Sequence, residues 1–428
     1  MREIEGNVDV AIIGGGPGGS TAAALLAAAG RRVVLFEKEV FPRFHIGESL
    51  LPFNVVLFER LGVIDKLEKR FLQKWGAQIM SSDGAVSRYI RFEESIVPGP
   101  PMAYHVLRSE FDEMLLRNAQ SKGAEVLEGH AVIEATHSHR HGAMVTARAR
   151  DGSMVRCKAR FLVDASGREA FVASRRKLRD MTPHLRKAAV FAQYENIPRL
   201  TGRQAGDIIL IVLKDGWFWM IPLPDGFTSV GLVAEGSRLK DLGLPPEELL
   251  EQAVRACPAA WERMRDARRI SQVWSASDYS YECREVAGDG YVLVGDAAAF
   301  IDPIFSTGVW LAMSSGEIAA DTLHKALGAG NLSPATFADY ERKVHRHVAT
   351  YTRIVSRFYQ PGFMDIFLQP STRFGIKEAV ISLLAGMADP PPLVSLRLAW
   401  FYTVITLQQR FGFLPAVPLL GVMEKGRA

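Results

Sequence analysis

Two β-branched apolar runs, VDVAIIG (8–14) and RRVVLFEK (31–38), flank the alanine- and glycine-rich segment PGGSTAAALLAAAG. Unbroken apolar runs suit strands buried on both faces of a parallel sheet, so the order reads strand, turn, helix, strand. Further on, LRSEFDEMLLRNAQSKG (107–123) has helical apolar spacing, a serine cap, an acidic first turn and a terminal glycine. EVLEGHAVIEATHS, AMVTARAR and FLVDASG follow as strands. Between Trp75 and about Leu107, short runs separated by SDG (82–84) and PGPP (98–101) predict antiparallel strands. Residues 186–284 are again strand-rich, and PDG (224–226) predicts a hairpin turn between GWFWMIPL and TSVGLVAE. YVLVGD (291–296) returns to the parallel style, and VWLAMSSGEIAADTLHKAL (309–327) predicts a long helix. The remainder, about 335–428, predicts helices with a break at ADPPP (388–392).

The pattern implies an α/β protein in three parts. A discontinuous Rossmann-like nucleotide-binding domain takes 1–73, 108–185 and 285–334. An inserted antiparallel sheet domain takes 74–107 and 186–284, and a helical C-terminal region takes 335–428.

Composition narrows the function. The net charge of +4, from 51 basic and 47 acidic residues, is small and scattered, which argues against nucleic acid as a partner. Cys157, Cys257 and Cys283 show no CxxC or Cys/His spacing, so neither a disulfide framework nor a metal site is expected, and a reducing cytoplasm fits. The opening MREIEGNVDV is charged up to the first strand, so no cleaved leader is expected. LAWFYTVITLQQ (398–409) and FGFLPAVPLLGVM (411–423), separated by Arg410, are too short to span a bilayer and read as buried cover or sticky surface.

GGGPGG (14–19) places Gly14, Gly16 and Gly19 in GxGxxG spacing between a strand and a helix. Such glycines allow a tight turn and close backbone approach, while the helix N-terminus offers N–H donors to a pyrophosphate. Glu37 ends the next strand, where a carboxylate can accept from ribose hydroxyls, so the turn predicts FAD or NAD. GDAAAF (295–300) and VDASG (163–167) favour FAD: Asp296 and Asp164 stand at strand ends suited to further cofactor hydroxyls. Together these segments resemble the FAD flavoproteins of the aromatic hydroxylase superfamily, and the resemblance implies cofactor contacts at Arg43 and Arg108. No second GxGxxG follows a strand, so no separate nicotinamide fold is expected, and reducing equivalents would arrive as free reduced flavin.

In GWFWMIP (216–222), Trp217, Trp219 and Ile221 share one face of a strand. As an isolated pattern this is an aromatic row in a sandwich. With Pro222, however, it matches WxWxIP and resembles the flavin-dependent halogenases, as do FPRFHIGESLLP (41–52), the QKWGA stretch around Lys74 and GDAAAFIDPIFSTGV (295–309). The resemblance covers roughly the first 330 residues in blocks. It implies an FAD-dependent enzyme fed by a flavin reductase, with Trp217 and Trp219 keeping the aromatic substrate off the flavin so that only a small halide is oxidised. It also implies that Lys74 aims the hypohalous acid; burial beside apolar groups such as Trp75 would lower the lysine pKa. Ser306, Thr307 and Gly308, in a turn before the 309–327 helix, offer N–H donors and the positive helix end to chloride or bromide.

Tryptophan-acting members carry an acidic residue where this chain has Phe305, which favours the phenol- or pyrrole-acting branch, whose rings are often presented on a carrier protein. The chain is also short for the family. Its apolar ending suits docking of a carrier protein or a membrane surface alike. The rival readings are an NAD(P)H-dependent aromatic monooxygenase on the same fold and a non-catalytic flavin-binding adaptor.

Overall fold

The computed structural model describes residues 2–369 and 375–423, and for Asp278 and Tyr279 the backbone alone. Two large sheets organise the chain. In the first, Tyr291–Leu293, Met154–Asp164, Val8–Ile13, Val33–Glu37 and Glu125–Glu128 lie side by side and parallel. The apolar runs therefore sit where both faces are covered, as their composition requires. His130–Ser138 and Gly142–Ala149 add an antiparallel extension.

The helix Pro17–Ala28 packs against the long helix Thr307–Ala329 and against Arg108–Ser121. Small residues permit the first contact: a Cβ on Gly316 would lie 2.5 Å from the carbonyl oxygen of Gly18. The Arg108–Ser121 helix lacks the expected serine cap. Leu107 occupies the cap position with no side-chain bond, and Ser109 falls inside the first turn.

The second sheet runs Ala299–Phe300, Trp274–Cys283, Arg179–Glu195, Thr228–Glu235, Gly216–Pro222, Ile208–Val212, Gly76–Ser81, Ser87–Arg91. PDG joins two antiparallel neighbours as expected. One pairing departs from the expected antiparallel order: Ile208–Val212 and Gly76–Ser81 run parallel, because they are distant in sequence and need no hairpin between them. The strand-rich 186–284 stretch also holds three helices, Gly236–Leu242, Pro246–Ala256 and Pro258–Met264. Leu249, Leu250, Ala253 and Val254 are buried in one cluster with Phe218 and Met220, so these helices cover one face of the tryptophan strand. Trp217, Trp219 and Ile221 fall on the other face, in the core shared with the first sheet.

Toward the C-terminus stand Ala338–Phe358, Phe363–Phe367, Ile376–Leu384 and Pro392–Phe411, with the break at the proline-rich segment. Pro392–Phe411 is both cover and surface: Leu398, Phe401 and Ile405 are buried, whereas Leu396 is 67% and Trp400 47% exposed. No described helix is long and apolar enough to cross a membrane. Past Phe411 the chain leaves helix and returns to the second sheet, where the Leu420 amide donates to Ser82 Oγ at 2.8 Å.

The Gly18–Gly316 approach leaves no room for a methyl group. Gly316→Ala should therefore lower unfolding free energy by about 1–3 kcal/mol, measured by urea denaturation, because the obstacle is backbone rather than a movable side chain.

Candidate active site

A cavity of roughly 720 Å³ runs along the glycine turn, the Phe36–Arg43 stretch and Arg108, and reaches Trp217, Trp219, Ile221 and Ser306. The two sequence-distant halves of the nucleotide fold and the tryptophan strand thus meet around one space.

At the turn, Gly14 has φ +100, a conformation that favours glycine. Gly14 and Gly16 line the cavity. Gly19 does not: a Cβ there would collide with the Gly14 carbonyl, so this glycine serves helix-to-strand packing. The Glu37 carboxylate lines the cavity and accepts from the amides of Gly15 (2.7 Å) and Glu39 (2.8 Å), which fixes it in place with lone pairs to spare.

Arg43 and Arg108 both line the cavity and converge on buried Asp112, at 2.9 Å from Arg43 and at 2.8 and 3.0 Å from Arg108. Burial works to raise the Asp112 carboxyl, but the two guanidinium groups, Arg108 foremost, hold it below its ordinary value. Asp296 lines the cavity. Asp164 departs from expectation. Its carboxylate is fully buried, accepts from Ser166 N (3.1 Å), Ser166 Oγ (2.5 Å) and Val172 N (2.7 Å), and stands behind the cavity lining. The backbone it shapes, Ala165 to Gly167, supplies the lining instead.

The indoles of Trp217 and Trp219 lie 5.8 Å apart between ring centroids. The row continues through Phe191 (5.7 Å from Trp219) and Trp274 (5.7 Å from Phe191) to Phe44 (4.3 Å from Trp274). Gly231, directly across the ladder from Trp219, makes room for that indole, because a Cβ there would strike its six-membered ring. The three added aromatics escaped sequence reading, since they lie on three other segments and carry no common spacing.

Lys74 ends the short strand Leu72–Lys74 and is only 3% exposed. Its ammonium donates to Ser49 Oγ (2.9 Å) and Leu50 O (3.1 Å). Burial pushes its pKa down to about 7 against the opposing pull of Asp207. The lowering expected from sequence is present, but the aromatic neighbour differs: Lys74 lies 5.2 Å from the Phe92 ring, while the Trp75 ring is covered by Arg203 at 3.5 Å. Lys74 is set behind the cavity lining, which its partner Ser49 joins together with Glu48. Glu48 is a further buried group absent from the expectations. Desolvation raises its carboxyl to about 7, and its Oε2 has no hydrogen-bond partner among the described residues.

Ser306 adopts φ +59 at the start of the Thr307–Ala329 helix and makes no side-chain cap. Thr307 and Gly308 are the first residues of that helix rather than part of a preceding turn. Ser306 and Gly308 line the cavity, and the space beside the Gly308 Cα is open. The Thr307 hydroxyl is buried with no partner among the described residues, and unlike Ser306 and Gly308 it stands behind the cavity lining rather than in it. Phe305 is buried edge-on against Phe358 at 5.7 Å.

Lys74 gives a pH signature with a definite sign. Its folded pKa is depressed, so from pH 7 toward the ordinary lysine value the unfolded chain holds the extra proton and stability rises with pH. The rise is at most about 1.4 kcal/mol per pH unit. Glu48 contributes its opposite slope below pH 7, so thermal unfolding of wild type and Lys74→Met between pH 7 and 9 isolates the lysine. The wild-type slope should be the steeper, and parallel profiles would refute a neutral buried Lys74.

The chain matches the Tryptophan halogenase family over residues 9–82 and 73–362. It is 32% identical over 401 residues to a 1H-pyrrole-2-carbonyl-[peptidyl-carrier protein] chlorinase of Pseudomonas fluorescens, covering 88% of this chain and 89% of that one. It is 34% identical over 381 residues to a tryptophan 2-halogenase of Chondromyces crocatus, covering 84% of this chain and 69% of the relative. The fold superposes on the flavin-dependent brominase Bmp2 with a TM-score of 0.84 at 27% identity, over 95% of this chain and 100% of the other. Matches of this length and identity, on a fold with a glycine turn at one end of its cavity and paired indoles in the wall, place the chain in the tryptophan halogenase family of flavin-dependent enzymes.

Proposed function

We propose that this enzyme halogenates an electron-rich phenol or pyrrole ring presented on a carrier protein, with FAD reduced by a separate flavin reductase and with chloride or bromide as co-substrate. The observation that carries this reading is the deeply buried Lys74 one residue contact behind a cavity walled by two indoles. The likeness to a pyrrolyl-carrier chlorinase supports the substrate class, and Phe305 in place of a carboxylate supports a ring that activates itself. In the division we propose, 1–73, 108–185 and 285–334 bind FAD, 74–107 and 186–284 form the substrate side, and 335–428 cover it. Three free, buried cysteines support a reducing compartment such as the cytoplasm.

The donor set fits FAD. Gly14 and Gly16 admit the pyrophosphate to the helix N-terminus, with Gly19 keeping that helix close. Glu37 and Asp296 would accept from cofactor hydroxyls, and Arg43 and Arg108, fixed by Asp112, would donate to its polar atoms. Asp164 acts indirectly, through the turn it holds.

Reduced FAD and O2 supply the oxidising power: FADH2, O2, halide and one proton give FAD, hypohalous acid and water. Ser306, the Thr307 hydroxyl and the amides at the start of the long helix hold the halide. Trp217 and Trp219 fill the space through which an aromatic substrate would otherwise approach. Lys74 donates to the oxygen of hypohalous acid and presents its halogen. The ring then forms a carbon–halogen bond as the halogen–oxygen bond breaks, and the displaced ring proton leaves with hydroxide as water.

Lys74→Ala should lower halogen transfer to a panel of phenols and pyrroles by about 100-fold or more, while FAD affinity stays at the wild-type value. In the wild type, bromide should speed reoxidation of the anaerobically reduced flavin after mixing with O2, followed by stopped-flow absorbance. Reoxidation indifferent to halide would replace this reading with the monooxygenase one.

A further inference from the structure

We infer that Tyr359 and Asp302 are positioning residues that tie the wall indole Trp217 to the turn bearing Ser306. The inference rests on the proposed roles of the tryptophan wall and the halide turn.

Trp217 Nε1–H donates to the Tyr359 hydroxyl at 2.9 Å, and that hydroxyl donates to Asp302 Oδ2 at 2.8 Å. An indole N–H only donates, so the Tyr359 hydroxyl accepts from Trp217 and turns its own proton to Asp302. The other oxygen, Asp302 Oδ1, accepts from the Ile304 amide at 3.1 Å, and the Asp302 amide donates to Ser280 Oγ at 3.1 Å. Asp302 therefore anchors the one-turn helix Pro303–Phe305, which delivers the chain to Ser306 in its left-handed conformation. Trp217, Pro303, Ile304 and Ser306 all line the same cavity.

Tyr359 comes from the C-terminal region, immediately past the helix Ala338–Phe358, and a phenylalanine would satisfy its packing. The Phe358 ring is edge-on to it at 5.1 Å, and the buried Lys187 ammonium sits 3.9 Å above it. Among the described residues the hydroxyl adds to that packing a bridge between the tryptophan strand and the segment that carries Asp302.

Trp219 is held in the same manner. Its Nε1–H donates to Ser229 Oγ at 3.1 Å, and the Ser229 side chain acts on the Glu48 carboxyl against the desolvation that raises it. Each indole is thus fixed by a hydroxyl, but only the Trp217 arm continues to a buried carboxyl group and so to the Ser306 turn. Rotation of Trp217 out of the wall and loosening of that turn become one event, so halide retention and exclusion of the aromatic ring are linked.

Tyr359→Phe keeps the ring and removes the bridge. In the FAD-loaded protein, bromide affinity should weaken about five-fold, the equivalent of one hydrogen bond of about 1 kcal/mol. Hydrogen peroxide released per reduced flavin should rise at the expense of oxidised bromide trapped by monochlorodimedone, with FAD affinity unchanged. In a Trp217→Phe background the same substitution should add nothing to the peroxide leak, because the bond is already absent. Trp217→Phe alone tests the bond from its other end if Tyr359→Phe fails to fold. Wild-type bromide affinity and peroxide yield in Tyr359→Phe would overturn the inference. If wild-type protein oxidises no bromide, the proposed function falls, and the bridge is judged by tryptophan emission: a Trp217-dependent shift on Tyr359→Phe supports it, and an unchanged spectrum overturns it.

Discussion

The pleat of the Gly216–Pro222 strand is the constraint on which the site depends. Side chains alternate across it, so Trp217, Trp219 and Ile221 are committed to the cavity side, and Phe218 and Met220 to the side beneath the three short helices. Both faces are buried. A slip of one residue would exchange the two sets and bury neither correctly, so the register is pinned by packing from both directions. Gly231 completes the fit by leaving the position opposite Trp219 empty.

Around that wall the protein buries charge under two different regimes. Asp112 is surrounded by guanidinium groups and remains the ionised hub that orients Arg43 and Arg108. Lys74 and Glu48 lie where desolvation outweighs their charged neighbours, so each is brought to about 7 from opposite sides. A lysine in that condition can donate and also surrender its proton near neutral pH, as the role proposed for Lys74 requires. Ser49 links the lysine to the cavity, since it lines that space and accepts from the ammonium.

The C-terminal helices do more than cover the second sheet. They bring Tyr359 to Trp217, and the final segment closes back on Ser82 and on Asp215, which accepts from the Val422 amide at 2.6 Å. They also leave Leu396, Trp400 and Phe411 facing outward along one helix.

The strands and helices of the nucleotide fold were legible because long apolar runs, glycine spacing and the hairpin PDG are local signals. The shared face of the two tryptophans was legible for the same reason: strand periodicity is a property of consecutive residues. The three helices within 236–264 were missed although Pro246–Ala256 opens on a proline and two glutamates and carries buried Leu249, Leu250, Ala253 and Val254 at helical spacing; the strand runs on either side drew the whole stretch into one sheet. Sequence by itself determined the residue types, their order on each element and the family resemblance that singled out Lys74 and the Ser306 turn. Tertiary structure alone decided that Lys74 is enclosed by Ser49, Leu50 and Phe92, that Asp164 stands behind the cavity lining, and that Tyr359 joins Trp217 to Asp302. Burial and hydrogen bonding between segments hundreds of residues apart depend on how whole sheets pack, and no spacing along the chain encodes that.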